Sequence, residues 1–188
     1  MKKDCLTTFS KVDFNTFEPE EDKIRIEDIA HALSMMTRAN GHFPQFFSVG
    51  QHCIQCCREA TARNYLPQTA LACLLHDGSE AYLADITRPV KKNMTMYLQI
   101  EEQLQHMIYT KFLGYVPEGE EAELITNIDD SCLYYEFLHF RDEKMYSVEP
   151  VMVSTQSYEL QPMADVEKEF LLLFEELKEK IREEESKK

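Results

Sequence analysis

Ala70-Leu71-Ala72-Cys73-Leu74-Leu75-His76-Asp77 decides how this chain is read: six small or apolar residues run without a break into an adjacent imidazole and carboxylate. Pro67, which the first turn of a helix accommodates, opens the run, so the spacing predicts a buried helix ending at His76-Asp77-Gly78. The terminal pair offers one neutral nitrogen and one anionic oxygen, both ligands for a hard or borderline divalent cation. His52 stands upstream on a second predicted helix and Asp129 downstream on a third. Together they form a two-imidazole, two-carboxylate set able to hold a metal between helices and leave positions open for water and substrate.

Outward from this stretch the chain reads as helices. Ile26, Ile29, Ala30, Leu33 and Met36 recur at three- and four-residue steps, a buried helical stripe that begins near Ile24 and is broken by Asn40-Gly41. Ser48 is placed to cap a helix over 49–63 that carries His52. A short segment, Ser79 to Ala84, precedes a turn around Pro89. Residues 93–113 predict a long amphipathic helix stopped by Gly114 and Pro117, and 118–140 another that carries Asp129. Pro150 with Val151 and Val153 predicts a loop or small hairpin, and 164–184 a last helix striped by Phe170, Leu173, Phe174 and Leu177. Residues 1–23 lack sustained periodicity and read as an irregular extension with a short strand. With no repeat and no dividing linker, the expectation is an all-α bundle, residues 24–188 forming one domain behind that extension.

Composition bounds the function classes. A chain of 188 residues with 44% apolar and 29% charged residues fits one globular core. No apolar stretch is long enough to cross a bilayer, and Met1-Lys2-Lys3-Asp4-Cys5 leads into polar residues rather than an apolar signal core. The expected compartment is the cytoplasm, where the six cysteines stay reduced and no membrane partner is needed. A formal charge of −14 argues against a long nucleic acid as partner, because phosphates repel an acidic surface. A small phosphorylated molecule needs only a local cationic pocket and remains compatible.

The words around the His-Asp pair add a resemblance. Phe47-Ser48-Val49-Gly50-Gln51-His52, the segment Leu74 to Ile86 (LLHDGSEAYLADI), Ile26 to Leu33 (IEDIAHAL) and Pro89-Val90-Lys91 together resemble the HD-domain metal-dependent phosphohydrolases, nearest to the bacterial 5′-deoxynucleotidases and their phage-borne relatives. The likeness runs from about Ile24 to Phe140 and weakly into Phe170 to Leu177. It implies an HD-type helical bundle and a divalent cation held by His52, His76, Asp77 and Asp129, with Mn²⁺, Co²⁺, Fe²⁺, Mg²⁺ and Zn²⁺ all suited to the set. Asp130 adjoins Asp129, and alignment with Cys132 and Tyr134 favours Asp129. The additional closely spaced histidines of binuclear members are missing, which implies one tightly bound ion and weakens a cyclic-nucleotide phosphodiesterase reading.

By the same resemblance Glu80 is the catalytic acid or base, Asp85 an acid near substrate and attacking water, and Arg38 and Lys91 the cations that meet a phosphate. The chain departs from the pattern right after Arg38: Ala39-Asn40 stand where a tryptophan would pack on the sugar, which puts selectivity for deoxyribose in doubt. The activity implied is removal of the 5′-phosphate from nucleoside monophosphates. Two alternatives are a deoxynucleoside triphosphate triphosphohydrolase and a non-catalytic nucleotide-binding domain. Homo-oligomers are usual among similar proteins. Cys53, Cys56 and Cys57 share a helical face and, with Cys73, read as small apolar packing, since no paired motif closes a structural zinc site. His31, His42, His106 and His139 read as structural or surface residues.

Overall fold

In the computed structural model, residues 4–187 are described, so the Met1-Lys2-Lys3 start of the expected extension lies outside them. A two-strand hairpin, β1 (Leu6–Thr7) and β2 (Asp13–Phe14), leads into α1 (Ile26–Met35), α2 (Val49–Ala62), α3 (Pro67–Leu75), the single turn α4 (Arg88–Lys91), α5 (Thr95–Leu113), α6 (Gly119–Arg141) and α7 (Met163–Glu185). The fold is all-α. No helix among the described residues is long and apolar enough to cross a membrane.

The hairpin is docked onto the helices. Leu6 pairs with Phe14 and Thr7 with Asp13 in antiparallel register. Phe14 is fully buried and stacks on Tyr82 with centroids 4.2 Å apart. The Ser10 amide and hydroxyl donate to the Asp28 carboxylate at 2.6 and 2.8 Å, fixing the hairpin to α1. Phe9 stacks on His31, whose Nδ1 lies 2.9 Å from Glu167 of α7.

One buried cluster, from Phe14 to Ile181, joins all these elements except the single turn α4. Its axis is α2, which packs against α1, α3, α6 and α7. Ser48 caps α2 reciprocally: its hydroxyl accepts from the Gln51 amide at 3.0 Å and its own amide donates to the Gln51 side chain at 3.2 Å. Gly50 lets α1 and α2 touch backbone to backbone, since a Cβ there would lie 3.1 Å from the Ser34 nitrogen and 3.2 Å from the Leu33 carbonyl carbon.

Between α6 and α7 the chain forms an irregular strap, and the hairpin that Val151 and Val153 allowed is not formed. The strap's backbone finds its partners on a helix instead of a second strand. Gln51, Gln55, Glu59 and Arg63 recur every fourth residue and so line one face of α2 and its C-cap. Gln51 donates to the Glu159 carbonyl at 3.1 Å, Gln55 to that of Ser157, and Arg63 to that of Val151 at 2.6 Å. Glu59, buried between them, accepts from the amides of Val153 and Ser154 at 2.9 and 2.7 Å and from the Ser154 hydroxyl at 2.6 Å. Arg63 adds an ion pair to Glu59 at 2.7 Å.

Burial alone would raise the Glu59 carboxyl, but the hydrogen bonds from Ser154, Arg63 and Val153 outweigh it and hold the group below its ordinary value. Its contribution is therefore present above the unfolded-state value, about 4.3, and is lost as pH falls through the lower folded-state value. Glu59→Gln is expected to destabilise the fold by about 2 kcal/mol at neutral pH, read as a lower urea midpoint. The gap between variant and wild type should close in acid, and a gap of constant size from about pH 7 to about pH 3 would contradict this account.

Candidate functional site

Three helices deliver four donor atoms to one place. α2 supplies His52, the end of α3 supplies His76 and Asp77, and α6 supplies Asp129. The Nε2 atoms of His52 and His76 face each other at 3.2 Å. Asp129 Oδ1 lies 3.1 Å from His52 Nε2 and 3.8 Å from His76 Nε2, and Asp77 Oδ2 lies 3.9 and 3.4 Å from the same atoms. Donors about 2.1 Å from a shared centre are separated by roughly 3.0–3.4 Å in octahedral or tetrahedral arrangements. The His52–His76, His52–Asp129 and His76–Asp77 pairs match that range, and the 3.8 and 3.9 Å pairs need only a small side-chain shift to close on a single divalent ion.

The hydrogen-bonded state of the imidazoles fits as well. His52 Nδ1 donates to Glu136 Oε1 at 2.5 Å, and His76 Nδ1 donates to the Cys73 carbonyl at 2.8 Å. With both Nδ1 atoms protonated, two Nε2 lone pairs point into the same gap, which is repulsive until positive charge fills it. Burial and Arg38 oppose a charge on His52, yet Glu136 and Asp129 outweigh them and lift it to about 9. Burial likewise opposes a charge on His76, but Asp77, Cys53 and Asp129 raise it well above the ordinary imidazole value. Asp129 is held well below the carboxylate range, because its hydrogen bonds to both rings overcome its burial.

The neighbouring acid Asp130 takes no part in this group. Arg88 forks the two aspartates, donating to Asp129 Oδ2 at 2.7 Å and to Asp130 Oδ1 at 2.6 Å. Asp129 Oδ1 is left to face the imidazoles.

A cleft of about 290 Å³ opens above the carboxylates. Arg38, Asp77, Glu80, Asp85, Arg88, Lys91, Asp129 and Glu136 line it on the polar side, and Ala39, Phe43, Ile86, Leu133, Phe137 and Met145 on the apolar side. All eight residues singled out by sequence thus meet here except the two imidazoles, which lie beneath the Asp77 and Asp129 carboxylates. Glu80 sits in the tight helical turn Gly78–Tyr82 and is only 3% exposed, with Oε2 lacking a partner. Burial and the Asp77 and Asp85 carboxylates raise its carboxyl well above the ordinary value. Burial also raises Asp85. Arg38 donates to Asp77 at 3.3 Å and to Glu136 at 3.4 Å. The Lys91 ammonium lies 2.6 Å from Glu101 and 3.5 Å from Glu80 Oε1, so within the protein it already serves two carboxylates.

Three supports escaped sequence reading. Glu136, with no exposed surface, stands seven residues after Asp129, two turns along the same face of α6. A lone acid in that buried stripe was the available signal. Gln105 of α5 brackets the His-Asp pair, accepting from the Ser79 amide at 3.1 Å and donating to the Leu75 carbonyl at 2.8 Å. Arg88 stands among several cations near the motif, and nothing local in the sequence pairs it with Asp129, 41 residues on.

No family model matches the chain. Among curated proteins it is 36% identical over 108 residues to the uncharacterized protein YfdR of Escherichia coli, covering 57% of each chain. It is 33% identical over 101 residues to an uncharacterized protein of Rhodobacter capsulatus, covering 50% of this chain and 51% of that one. The matches thus span about half the length of these relatives, and neither name carries an activity.

Glu136→Gln is expected to keep the helical circular-dichroism spectrum and lower Mn²⁺ affinity about 10- to 100-fold in isothermal titration, because the His52 ring loses its anionic anchor. Unchanged affinity would show that Glu136 does not orient the ring.

Proposed function

We propose that this chain is a metal-dependent phosphohydrolase of the HD-domain type that removes the 5′-phosphate from nucleoside monophosphates. The observation that carries the reading is the convergence of His52, His76, Asp77 and Asp129, with donor separations of 3.1–3.9 Å, beside the buried Glu80. A divalent cation held by those four residues would supply Lewis acidity to a phosphoryl oxygen and lower the pKa of a water beside it. The remaining chemistry belongs to the chain. Glu80, whose carboxyl is raised by burial and by Asp77 and Asp85, is suited to give a proton to the leaving 5′-oxygen. Lys91, 3.5 Å from Glu80 Oε1, keeps that carboxyl at the cleft wall. Asp85 lines the same wall as an acceptor for water or sugar hydroxyls. Arg38, 8% exposed, presents a planar guanidinium suited to two phosphate oxygens.

The same cleft favours a monophosphate over a triphosphate. Its cations are largely neutralised before any ligand arrives: Arg38 by Asp77 and Glu136, Arg88 by Asp129 and Asp130, Lys91 by Glu101. Little positive charge is left for a long polyphosphate. The volume, about 290 Å³, also lies at the small end for ligand pockets. The Phe43, Leu133, Phe137 and Met145 wall offers apolar surface to a base.

A phosphate-release screen with mono-, tri- and cyclic nucleotides and several divalent cations tests the reading. Orthophosphate from monophosphates is expected. Triphosphate release would point to the triphosphohydrolase instead, and silence with every cation to a nucleotide-binding domain without chemistry. Glu80→Gln should bind Mn²⁺ as wild type while kcat falls about 10²- to 10⁴-fold. Asp77→Ala should lose both Mn²⁺ binding and turnover, and equal loss of binding in the two variants would refute this division of roles.

A further inference from the structure

The imidazole pair has sulfur on its buried side. Cys56 follows His52 by one helical turn on α2, and its Sγ lies 3.5 Å from His52 Nε2. Donor atoms of Cys56, His52 and His76 all fall within 4.8 Å of one another, as do those of Cys53, His76 and Asp77. The Cys53 Sγ therefore lies within 4.8 Å of a His76 ring nitrogen. Cys57 and Cys73 belong to neither group.

We propose that His52, His76 and Cys56, with Cys53 as a second sulfur against His76, form a site for a thiophilic divalent cation of the zinc group, overlapping the oxygen-rich site above it. This second site rests on the cation reading proposed above, because it shares both imidazoles.

Geometry and charge both support it. A tetrahedral ion with nitrogen at about 2.05 Å and sulfur at about 2.3 Å separates two nitrogens by about 3.3 Å and a nitrogen from a sulfur by about 3.6 Å. The chain holds these pairs at 3.2 and 3.5 Å. The carboxylates of Asp77 and Asp129 line the cleft, whereas neither imidazole nor either thiol does. Hard ions, which prefer oxygen, are drawn toward the cleft; soft ions, which prefer sulfur, are drawn deeper. Both thiols are buried in the apolar core, where without such an ion they pack as small apolar groups. When a soft ion binds, each ligating thiol forms its sulfur–metal bond and releases its proton to solvent. One thiolate and two neutral imidazoles leave a divalent ion with a single positive charge, which the Asp129 carboxylate, 3.1 Å from His52 Nε2, is placed to answer.

The consequence is competition: an ion seated on sulfur takes both imidazoles away from the oxygen-rich arrangement. The test uses the metal-free full chain. Co²⁺ at saturation should produce a near-ultraviolet sulfur-to-cobalt charge-transfer band, and one equivalent of Cd²⁺ should displace bound Mn²⁺. Cys56→Ala should weaken the band and lower Cd²⁺ affinity about tenfold or more, with Mn²⁺ affinity unchanged. Cys56→Ser, checked by circular dichroism, serves if the alanine variant does not fold. Co²⁺ that binds without a sulfur band, or a band and Cd²⁺ affinity untouched by Cys56 and Cys53 substitution, overturns this site and leaves the oxygen-rich one standing. Failure of every cation to bind overturns both.

Discussion

The contact between Glu136 and His52 is the constraint on which the site depends. Neither residue has exposed surface, and their 2.5 Å hydrogen bond joins the C-terminal part of α6 to the first turn of α2. A carboxylate buried this deeply is costly unless its charge is answered, and here it is answered by the His52 ring and by Arg38. Satisfying that one acid sets the tautomer of His52, the direction of its free nitrogen, and the seat of the cleft's most buried cation. Asp129, two turns earlier on the same helix, then meets His52 Nε2 from the other side.

A second layer of support works through the backbone. Gln105 closes the turn after α3 from both ends, and Gly78 presses that turn onto Ile108, where a Cβ would lie 3.3 Å from Cδ1. Glu80 is thereby buried on a single tight helical turn. Ala39, next to Arg38, adopts a left-handed φ of 51°, a conformation costing an alanine roughly 1–2 kcal/mol. The loop from Thr37 to Ser48 is tied at its base, Arg38 amide to Phe47 carbonyl at 2.8 Å and Val49 amide to Met36 carbonyl at 2.9 Å. The guanidinium therefore leaves from a fixed point.

What could be read from the amino-acid order alone follows a physical divide. Helix faces and ends were legible, because periodicity and capping are local: Ser48 with Gln51, Pro67 at the start of α3, and Gly114 in a left-handed cap at φ 87° closing α5. The four donors were legible as a motif. Partnerships were not, because spacing reports which side of a helix a residue occupies and not what it meets there. Glu136 reaches His52 across 84 residues, and Arg88 reaches Asp129 across 41. The thiols were read as packing, and all four lie in the buried core; spacing alone did not show that Cys53 and Cys56 also border the two rings. The stretch around Val151 and Val153 invited a hairpin, since β-branched residues suit strands; the polar ladder of α2 took its backbone instead.

That ladder also bears on how the molecule is assembled in time. α2 presents one side to the other helices and sets Gln51, Gln55, Glu59 and Arg63 toward a strap that follows 88–108 residues later. Contacts of such sequence separation carry a large loop-closure cost and form late. During synthesis the helix bearing His52 must wait, with a buried-to-be carboxylate still in water, until residue 159 has emerged. Shape around the imidazoles is therefore one of the last things the nascent chain acquires.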